Sequence, residues 1–132
     1  MPNETVDKIW GLCIRVFESD PCVVDLLKLE CDTFCSKHYH KRKFNKFLVI
    51  SGRISIETEY GKTILGRDES LVISPPAIHR FKALEDSTVL EIAWVDTGKI
   101  EVDIIRKSQG GKIVNGREMT ENELRNKKLL EL

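Results

Sequence analysis

Turn signals divide the centre of the chain into segments that are too short for anything but β-strands. Between residues 47 and 95 the runs of β-branched and aromatic residues are interrupted at Ser51-Gly52, Tyr60-Gly61, Gly66-Arg67-Asp68, Pro75-Pro76 and Leu84-Glu85-Asp86. The strands predicted between these breaks are 47–50, 53–59, 62–65, 70–74, 79–83 and 87–95. Because short strands at such close spacing are typical of sandwiches and barrels, the sequence predicts an all-β domain. The apolar run 47–50 is expected to be buried on both faces.

The flanking regions extend this pattern at both ends. Ile9–Phe17 and Val23–Cys31 are predicted strands that follow a polar N-terminal arm, and Glu101–Ile105 is a predicted last strand. Thr120 and Glu123 have the spacing of a capping box and predict a C-terminal helix. Its leucines, which end at Leu132, are expected to pack on the barrel or on a partner subunit.

Length and charge narrow the range of partners. A chain of 132 residues is expected to form one domain, and its 21 basic and 21 acidic side chains give a formal net charge of zero. No overall field then favours nucleic acid or an anionic membrane, so we expect a small-molecule ligand that is recognised locally. The sequence shows neither a secretion signal nor an apolar run long enough to span a bilayer, which predicts a cytoplasmic protein.

The four cysteines are expected to be reduced. Cys13, Cys22, Cys31 and Cys35 form no Cys-x-x-Cys pair and have no zinc-ribbon spacing. In a chain without a secretion signal they are predicted to pack as small apolar residues. A redox role for Cys35, three residues before a histidine, remains an alternative.

Two of the chain's three histidines, His38 and His40, are one residue apart. Side chains at i and i+2 of a strand point to the same face, so an extended backbone would place the two imidazoles side by side. Such a pair is the beginning of a metal site that needs further ligands. The third histidine, His79, follows the turn at Pro75-Pro76.

These histidines resemble the two bipartite motifs of the cupin superfamily. The family pattern is His-x-His, then Glu, then Gly, and later Pro-x-Gly-x-x-His. Here His38, His40, Gly52 and His79 match it, while Asn45 stands at the Glu position and the second motif lacks its Gly. The resemblance covers most of residues 8–108 and implies a jelly-roll barrel, the double-stranded β-helix. We therefore predict a single barrel domain over residues 1–118, and the predicted helical tail over 119–132 lies outside the resemblance.

The resemblance also implies a divalent metal ion (Zn, Mn, Fe or Ni) bound by His38, His40, His79 and Asn45. An amide offers a carbonyl oxygen but no negative charge, and it is therefore a weaker ligand than Glu for a hard divalent metal. Glu91, a carboxylate within an apolar strand, is a candidate general base with a raised pKa, or else it faces solvent at a sheet edge.

Further matches are similar to the small cupins of the mannose-6-phosphate isomerase-like group. They comprise Trp10-Gly11, the stretch from Ser36 to His40, the strand entering Ser51-Gly52, and the stretch from Pro75 to Phe81. This similarity implies a metal-dependent isomerase that acts on a small (phospho)sugar-like metabolite. Exposed strand edges near Trp10 and the leucine-bearing tail favour a homodimer.

Two other functions remain open at this point. Three histidines without a carboxylate could form the iron site of a dioxygenase, and a cupin that has lost catalysis could act as a ligand-binding module. Lys41-Arg42-Lys43 is either a solvated loop or, near the mouth of a barrel, a phosphate-recognition site.

Overall fold

The computed structural model describes residues 4–130, and Leu132 lies outside this range. The described chain forms fourteen strands: β1 Glu4–Lys8, β2 Gly11–Ser19, β3 Cys22–Leu29, β4 Thr33–Phe34, β5 His38–Tyr39, β6 Phe44–Ser51, β7 Ile54–Thr58, β8 Gly61–Leu65, β9 Ser70–Ile73, β10 His79–Ala83, β11 Ser87–Trp94, β12 Ile105–Arg106, β13 Gly111–Val114 and β14 Arg117–Thr120. One helix, α1 Glu121–Leu130, follows them. The all-β fold with a short C-terminal helix is confirmed.

The strands form two antiparallel sheets. The first has the order β1-β2-β3-β11-β6-β9, and the second has the order β12-β5-β10-β4-β13-β14, with β7 beside β10 and β8 beside β7. Most of the buried apolar side chains form one cluster to which strands of both sheets contribute, including Leu27, Phe47, Val49, Ile54, Ile56, Phe81 and Val89. Burial of each such side chain contributes about 1.5–3 kcal/mol, so the cluster is what holds the two sheets together.

Buried and more exposed side chains alternate along β6, whereas the sequence predicted that its apolar run 47–50 is buried on both faces. Asn45, Phe47 and Val49 are buried, whereas Ile50 is 41% exposed. One face of β6 therefore points into the barrel and the other faces outward. The prediction that residues 47–50 are buried on both faces is wrong, because β6 has no second layer behind it.

Both ends of the chain contain strands that the sequence reading missed. The expected polar arm forms β1, which pairs with β2 from Glu4 opposite Arg15 to Lys8 opposite Gly11. The expected strand 101–105 is irregular until Ile105. Residues 111–120 form the hairpin β13–β14, whose Asn115-Gly116 turn has positive φ at both residues. Asn-Gly is the strongest short-range hairpin signal, and it was available in the sequence.

Helix α1 begins where the capping box predicts. The Thr120 hydroxyl accepts from the Glu123 amide at 3.3 Å, and the Glu123 carboxylate accepts from the Thr120 amide at 3.4 Å. The predicted boundary between the barrel domain and the tail, at residues 118 and 119, falls inside β14. The separation of a tail over 119–132 remains a prediction. No helix in the described part of the chain has the length and apolarity needed to cross a bilayer.

Candidate metal centre

The three histidines meet where β5 and β10 lie side by side. His38 and His79 are directly opposite each other in the ladder, and His40 follows the end of β5. The ring centroids are 5.2 Å apart for His38 and His40, 4.5 Å for His38 and His79, and 5.4 Å for His40 and His79. One nitrogen from each ring lies within 4.8 Å of the other two. The structure thus brings together all three histidines at a spacing that one metal ion can bridge.

Backbone carbonyls determine which nitrogen of each ring is available. His38 Nδ1 donates to the Ser36 carbonyl at 2.8 Å, His79 Nδ1 donates to the Ala77 carbonyl at 2.9 Å, and His40 Nδ1 donates to the carbonyl of Asp103. Since a carbonyl can only accept, each Nδ1 carries the proton and each Nε2 presents a lone pair. Metal-binding histidines are oriented in this way in proteins.

Three buried polar atoms on inward-facing side chains of the barrel have no partner among the residues described. They are His40 Nε2, His79 Nε2 and Asn45 Oδ1. A buried polar atom without a hydrogen bond costs about 1–3 kcal/mol, so three such atoms are expensive unless a ligand satisfies them. Imidazole nitrogens and an amide oxygen are donors that a divalent transition metal accepts, and these residues therefore fit such an ion.

The histidines are neutral at neutral pH. Burial, together with the neighbouring His79, lowers the pKa of His38 to about 3. Burial lowers the pKa of His40 to about 4, and it also lowers the pKa of His79. A neutral imidazole is the form that binds metal, so none of these rings has to lose a proton first.

The Asn45 side chain is hydrogen-bonded to Glu91, the candidate general base. Its Nδ2 donates to Glu91 Oε2 at 2.8 Å, and because only the NH₂ group can donate to a carboxylate, Oδ1 is the atom left free. Asn45 lies opposite Ala93 in the ladder of β6 and β11, so Glu91 is its diagonal neighbour on the inward face. Glu91 therefore lines the interior of the barrel rather than facing solvent at a sheet edge.

Glu91 belongs to a row of charged groups that crosses the first sheet. It is opposite Asp25, which is opposite Arg15, and the Arg15 Nε donates to Asp25 Oδ1 at 2.6 Å. Burial raises the pKa of Glu91, and the nearby charge of Asp25 raises it further, against the opposing effect of Lys43. A carboxylate with a raised pKa inside a cavity is the usual description of a general base.

A cavity of about 1020 Å³ is lined by His38, His40 and Glu91 but not by His79 or Asn45. Its lining also includes Lys43 and Trp10. The volume is at the upper end of the range for small-molecule sites. Trp10 is buried and packs edge-on against Phe81, with the ring centroids 5.3 Å apart, which makes it a core residue at the cavity wall.

The cysteines show no sign of redox chemistry. All four are free, but Cys31 is exposed in a turn, so the prediction that it packs as a small apolar residue is wrong. Cys13 and Cys35 line the cavity, but burial raises the pKa of each thiol to about 12. Thiolate is the reactive form, so neither group is activated at neutral pH.

Asp103 is a site residue that sequence reasoning missed. Its carbonyl accepts from His40, and its carboxylate accepts from the amides of Lys41 at 3.0 Å and Arg42 at 2.7 Å. These hydrogen bonds lower the pKa of Asp103, although desolvation acts in the opposite direction. No sequence signal reveals such a contact, because a backbone carbonyl is present at every residue.

Comparison with known proteins gives structural neighbours but no relatives by sequence. No protein-family profile and no curated protein matches the sequence. A structure of Streptomyces PAC13 with uridine has a TM-score of 0.68 at 13% identity and is matched over 81% of this chain and 85% of its own. KdgF from Halomonas sp. has a TM-score of 0.61 at 22% identity, over 65% of this chain and 81% of its own.

A third neighbour carries the family name in its description. A cupin superfamily protein from Desulfitobacterium hafniense has a TM-score of 0.59 at 17% identity and is matched over 73% of this chain and 82% of its own. Likeness at this level of identity concerns the fold alone, and it agrees with the two antiparallel sheets. The chain therefore has the cupin fold, a double-stranded β-helix closed into a jelly-roll barrel.

Proposed function

We propose that this protein is a metal-dependent enzyme that moves a proton on a small (phospho)sugar-like metabolite, as an isomerase similar to mannose-6-phosphate isomerase would. The observation that carries the proposal is a set of unpartnered lone-pair atoms that could bind a metal, namely His40 Nε2, His79 Nε2 and Asn45 Oδ1. Asn45 is also hydrogen-bonded to Glu91, a carboxylate whose pKa is raised. These groups supply both requirements of aldose–ketose isomerisation, a place for a Lewis acid and a base.

The residues that would hold the metal are His38, His40 and His79 through Nε2 and Asn45 through Oδ1. When bound, a divalent ion supplies Lewis-acid polarisation of a carbonyl or hydroxyl oxygen. All four protein donors are neutral, so they would not offset the charge of the ion.

Glu91 would accept and return the proton. Burial favours its protonated form, which brings its proton affinity closer to what catalysis near neutral pH requires. The hydrogen bond from Asn45 Nδ2 holds Oε2, leaving Oε1 as the atom able to face a substrate. The carboxylate is thereby positioned next to the proposed metal ligand and on the same inward face.

The neighbours support a small, hydroxyl-rich ligand. The Streptomyces PAC13 structure contains uridine, whose ribose carries several hydroxyl groups. A cavity of about 1020 Å³ in the present chain has room for a molecule of that size.

Metal analysis combined with solvent proton exchange tests the proposal. Protein purified without chelator should retain close to one Zn, Mn, Fe or Ni per chain. A panel of aldoses, ketoses and their phosphates in D₂O should reveal a substrate that incorporates deuterium at the carbon next to its carbonyl. Glu91→Gln should lower that rate by about 10²-fold or more, as expected for loss of a general base. The exposed Glu101→Gln is the control and should leave the rate unchanged.

Two results would contradict the proposal. One is a protein that binds none of these metals after direct addition. The other is a metal-loaded protein that exchanges no proton in any member of the panel.

The neutral donor set favours a second candidate, a dioxygenase with a three-histidine iron site, because Asn45 supplies no carboxylate. Oxygen consumption by the iron-loaded protein with thiol or diketone substrates would select it. Ligand binding that survives His38→Ala without any metal would instead indicate a non-catalytic binding module. The homodimer and the cytoplasmic location remain predictions.

A further inference from the structure

Lys43 presents a positive charge to the cavity that no ion pair within residues 4–130 balances. It lies two residues before Asn45, and it lines the cavity together with His40 and Glu91. In the described part of the chain the ion pairs are made by other basic side chains, namely Arg15, Arg53, Arg80, Lys82, Lys112 and Arg117. Lys43 is half-buried, so its ammonium is only partly compensated by water.

The other residues of the basic run do not share this position. The Arg42 guanidinium donates to the Thr97 carbonyl at 2.8 Å on the surface, and Lys41 is exposed. Of the run Lys41-Arg42-Lys43, only Lys43 lines the cavity.

Arg106 approaches the histidines from the second sheet. It lies directly opposite His38 in the ladder of β12 and β5, and His38 lies directly opposite His79 on its other side. Residues that are opposite in a ladder project to the same face, so Arg106 stands beside the histidine cluster. It also lines the same cavity, and its guanidinium forms no ion pair with the residues described.

Four acidic side chains line the cavity, namely Asp7, Asp25, Glu91 and Glu121, and none of them forms an ion pair with Lys43 or Arg106. Asp25 is already paired with Arg15 at 2.6 Å, and Glu91 Oε2 accepts a hydrogen bond from Asn45 Nδ2 at 2.8 Å. A divalent ion on the histidines would add two positive charges to those of Lys43 and Arg106. A half-buried ammonium and an exposed guanidinium that line one cavity without an ion-pair partner are well suited to bind an anion.

We propose that Lys43 and Arg106 form an oxyanion subsite that binds a carboxylate or phosphate group of the substrate beside the metal centre. The substrate is then an anionic metabolite, which supplies the negative charge that Asn45 does not. This inference rests on the proposed function for its reaction, but the subsite itself consists of two side chains that can be tested without catalysis.

Calorimetric titration with inorganic phosphate and with oxalate tests the subsite, and glycerol serves as the uncharged probe. The titrations use the full chain, both zinc-loaded and zinc-free, because zinc alone also attracts anions. Wild-type protein should bind at least one anion and no glycerol. Lys43→Gln should weaken anion binding about tenfold or more in both forms, as expected for loss of a charge-assisted hydrogen bond, and Lys43→Arg should restore part of it.

Lys46→Gln is the matched control. Lys46 has the same side chain, is also half-buried, and lies three residues further along on the outward face of β6, opposite Ile92 and Val72. It should leave anion binding unchanged, whereas Arg106→Gln should weaken it. The anion that binds more tightly identifies the group, carboxylate or phosphate, that the subsite prefers.

Several outcomes would overturn the inference. They are anion binding equal in Lys43→Gln and wild type, equal losses in Lys43→Gln and Lys46→Gln, and no anion binding by wild type. Zinc content measured on the same samples separates this inference from the proposed function. If the protein retains zinc and Lys43→Gln binds anions as tightly as wild type, only the subsite is overturned. If the wild-type protein does not retain zinc, the proposed metal enzyme is overturned. Anion binding that still depends on Lys43 in that case supports the subsite.

Discussion

Asn45 and Glu91 are complementary at the level of single atoms. The amide donates to Glu91 through Nδ2 and leaves Oδ1 unpartnered inside the barrel. Two carboxylates at these positions would repel each other, and one of them would hold its proton until well above its usual range. The amide thus allows the proposed base to lie next to the proposed metal ligand without a second negative charge.

The substitution Asn45→Glu tests this arrangement. The new carboxylate should bind a divalent metal at least about tenfold more tightly, because it adds a charged oxygen donor to three neutral imidazoles. Without metal the same protein should be less stable than wild type, because the new group faces Glu91. Chelator competition measures the first effect and urea unfolding of the metal-free protein measures the second.

The double variant Asn45→Glu with Glu91→Gln provides the control for Asn45→Glu. It should keep the tighter metal binding and recover the lost stability, because the repulsion is gone. Unchanged metal affinity in Asn45→Glu would mean that Asn45 does not lie beside the histidines as a ligand.

At the scale of elements, the connection between β11 and β12 contacts the candidate metal centre through His40. Asp103 in this connection accepts from His40 and from the amides of Lys41 and Arg42. One residue thus fixes both the ring orientation of His40 and the backbone that follows it.

Asp103→Ala should weaken metal binding by about 10- to 100-fold, the usual effect of losing a residue that orients a metal ligand. The carboxylate is removed, the amides of Lys41 and Arg42 lose their acceptor, and the carbonyl is no longer held against His40. Metal affinity from chelator competition is the measurement. Asp96→Ala, an exposed residue in the same connection, should change nothing, and Asp103→Asn should retain part of the affinity. Equal affinities in Asp103→Ala and wild type would exclude this positioning role.

A second element-level feature attaches the β13–β14 hairpin to the barrel. Arg80 on β10 donates to Glu57 on β7 at 3.1 Å and to Glu118 on β14, and Lys82 is 3.1 Å from Glu118. Desolvation raises the pKa of Glu57 and of Glu118, but the bonds to Arg80 and Lys82 outweigh it and leave both pKa values lowered.

This network should make stability depend on pH in the acid range. A carboxylate whose pKa is lower in the folded than in the unfolded state stabilises the fold above the unfolded value of 4.5, and that contribution is lost as pH falls through the folded value. Glu118→Gln should therefore lower the free energy of unfolding at pH 7 by about 1 kcal/mol, a figure reduced because Glu118 is partly exposed. The difference from wild type should shrink below pH 4.5 in urea unfolding.

Glu85→Gln is the matched control for Glu118→Gln. Its carboxylate is 3.9 Å from Arg53 and both side chains are more than half exposed, so its removal should have little effect at any pH. If Glu118→Gln lowers the free energy of unfolding by the same amount at pH 3 as at pH 7, Glu118 contributes through packing rather than through its charge.

The elements that sequence could predict are those with a contrast between two faces. The position of His79 on the strand 79–83 was read correctly, because motif and turn both mark it. Strand β1 was missed because all five of its residues are exposed, which leaves no alternation to detect. The face of Glu91 was unreadable for the opposite reason, since β11 has apolar residues on both faces.

At the scale of the whole molecule, the proposed metal centre joins the two sheets. His38 and His79 come from β5 and β10 of the second sheet, whereas Asn45 comes from β6 of the first. The sequence indicates the ligands through local motifs. It does not indicate that they belong to opposite sheets, because that depends on strand order over the whole chain.

A metal bound by residues of both sheets should stabilise the entire fold and not only the loops that carry the ligands. Binding to the native state alone adds about 2.7 kcal/mol to the free energy of unfolding at a free metal concentration of about 100 times Kd. For a chain of 132 residues this corresponds to a rise in Tm of roughly 5–15 °C, with a single cooperative transition before and after addition. Calorimetry with and without added Zn, Mn, Fe or Ni measures this rise in Tm.

His79→Ala should abolish the rise. Because the deleted ring also leaves a cavity, the metal-free Tm of His79→Ala is the reference for this variant. A second, unshifted transition in the metal-loaded wild type would mean that the ion binds one sheet only and that Asn45 takes no part.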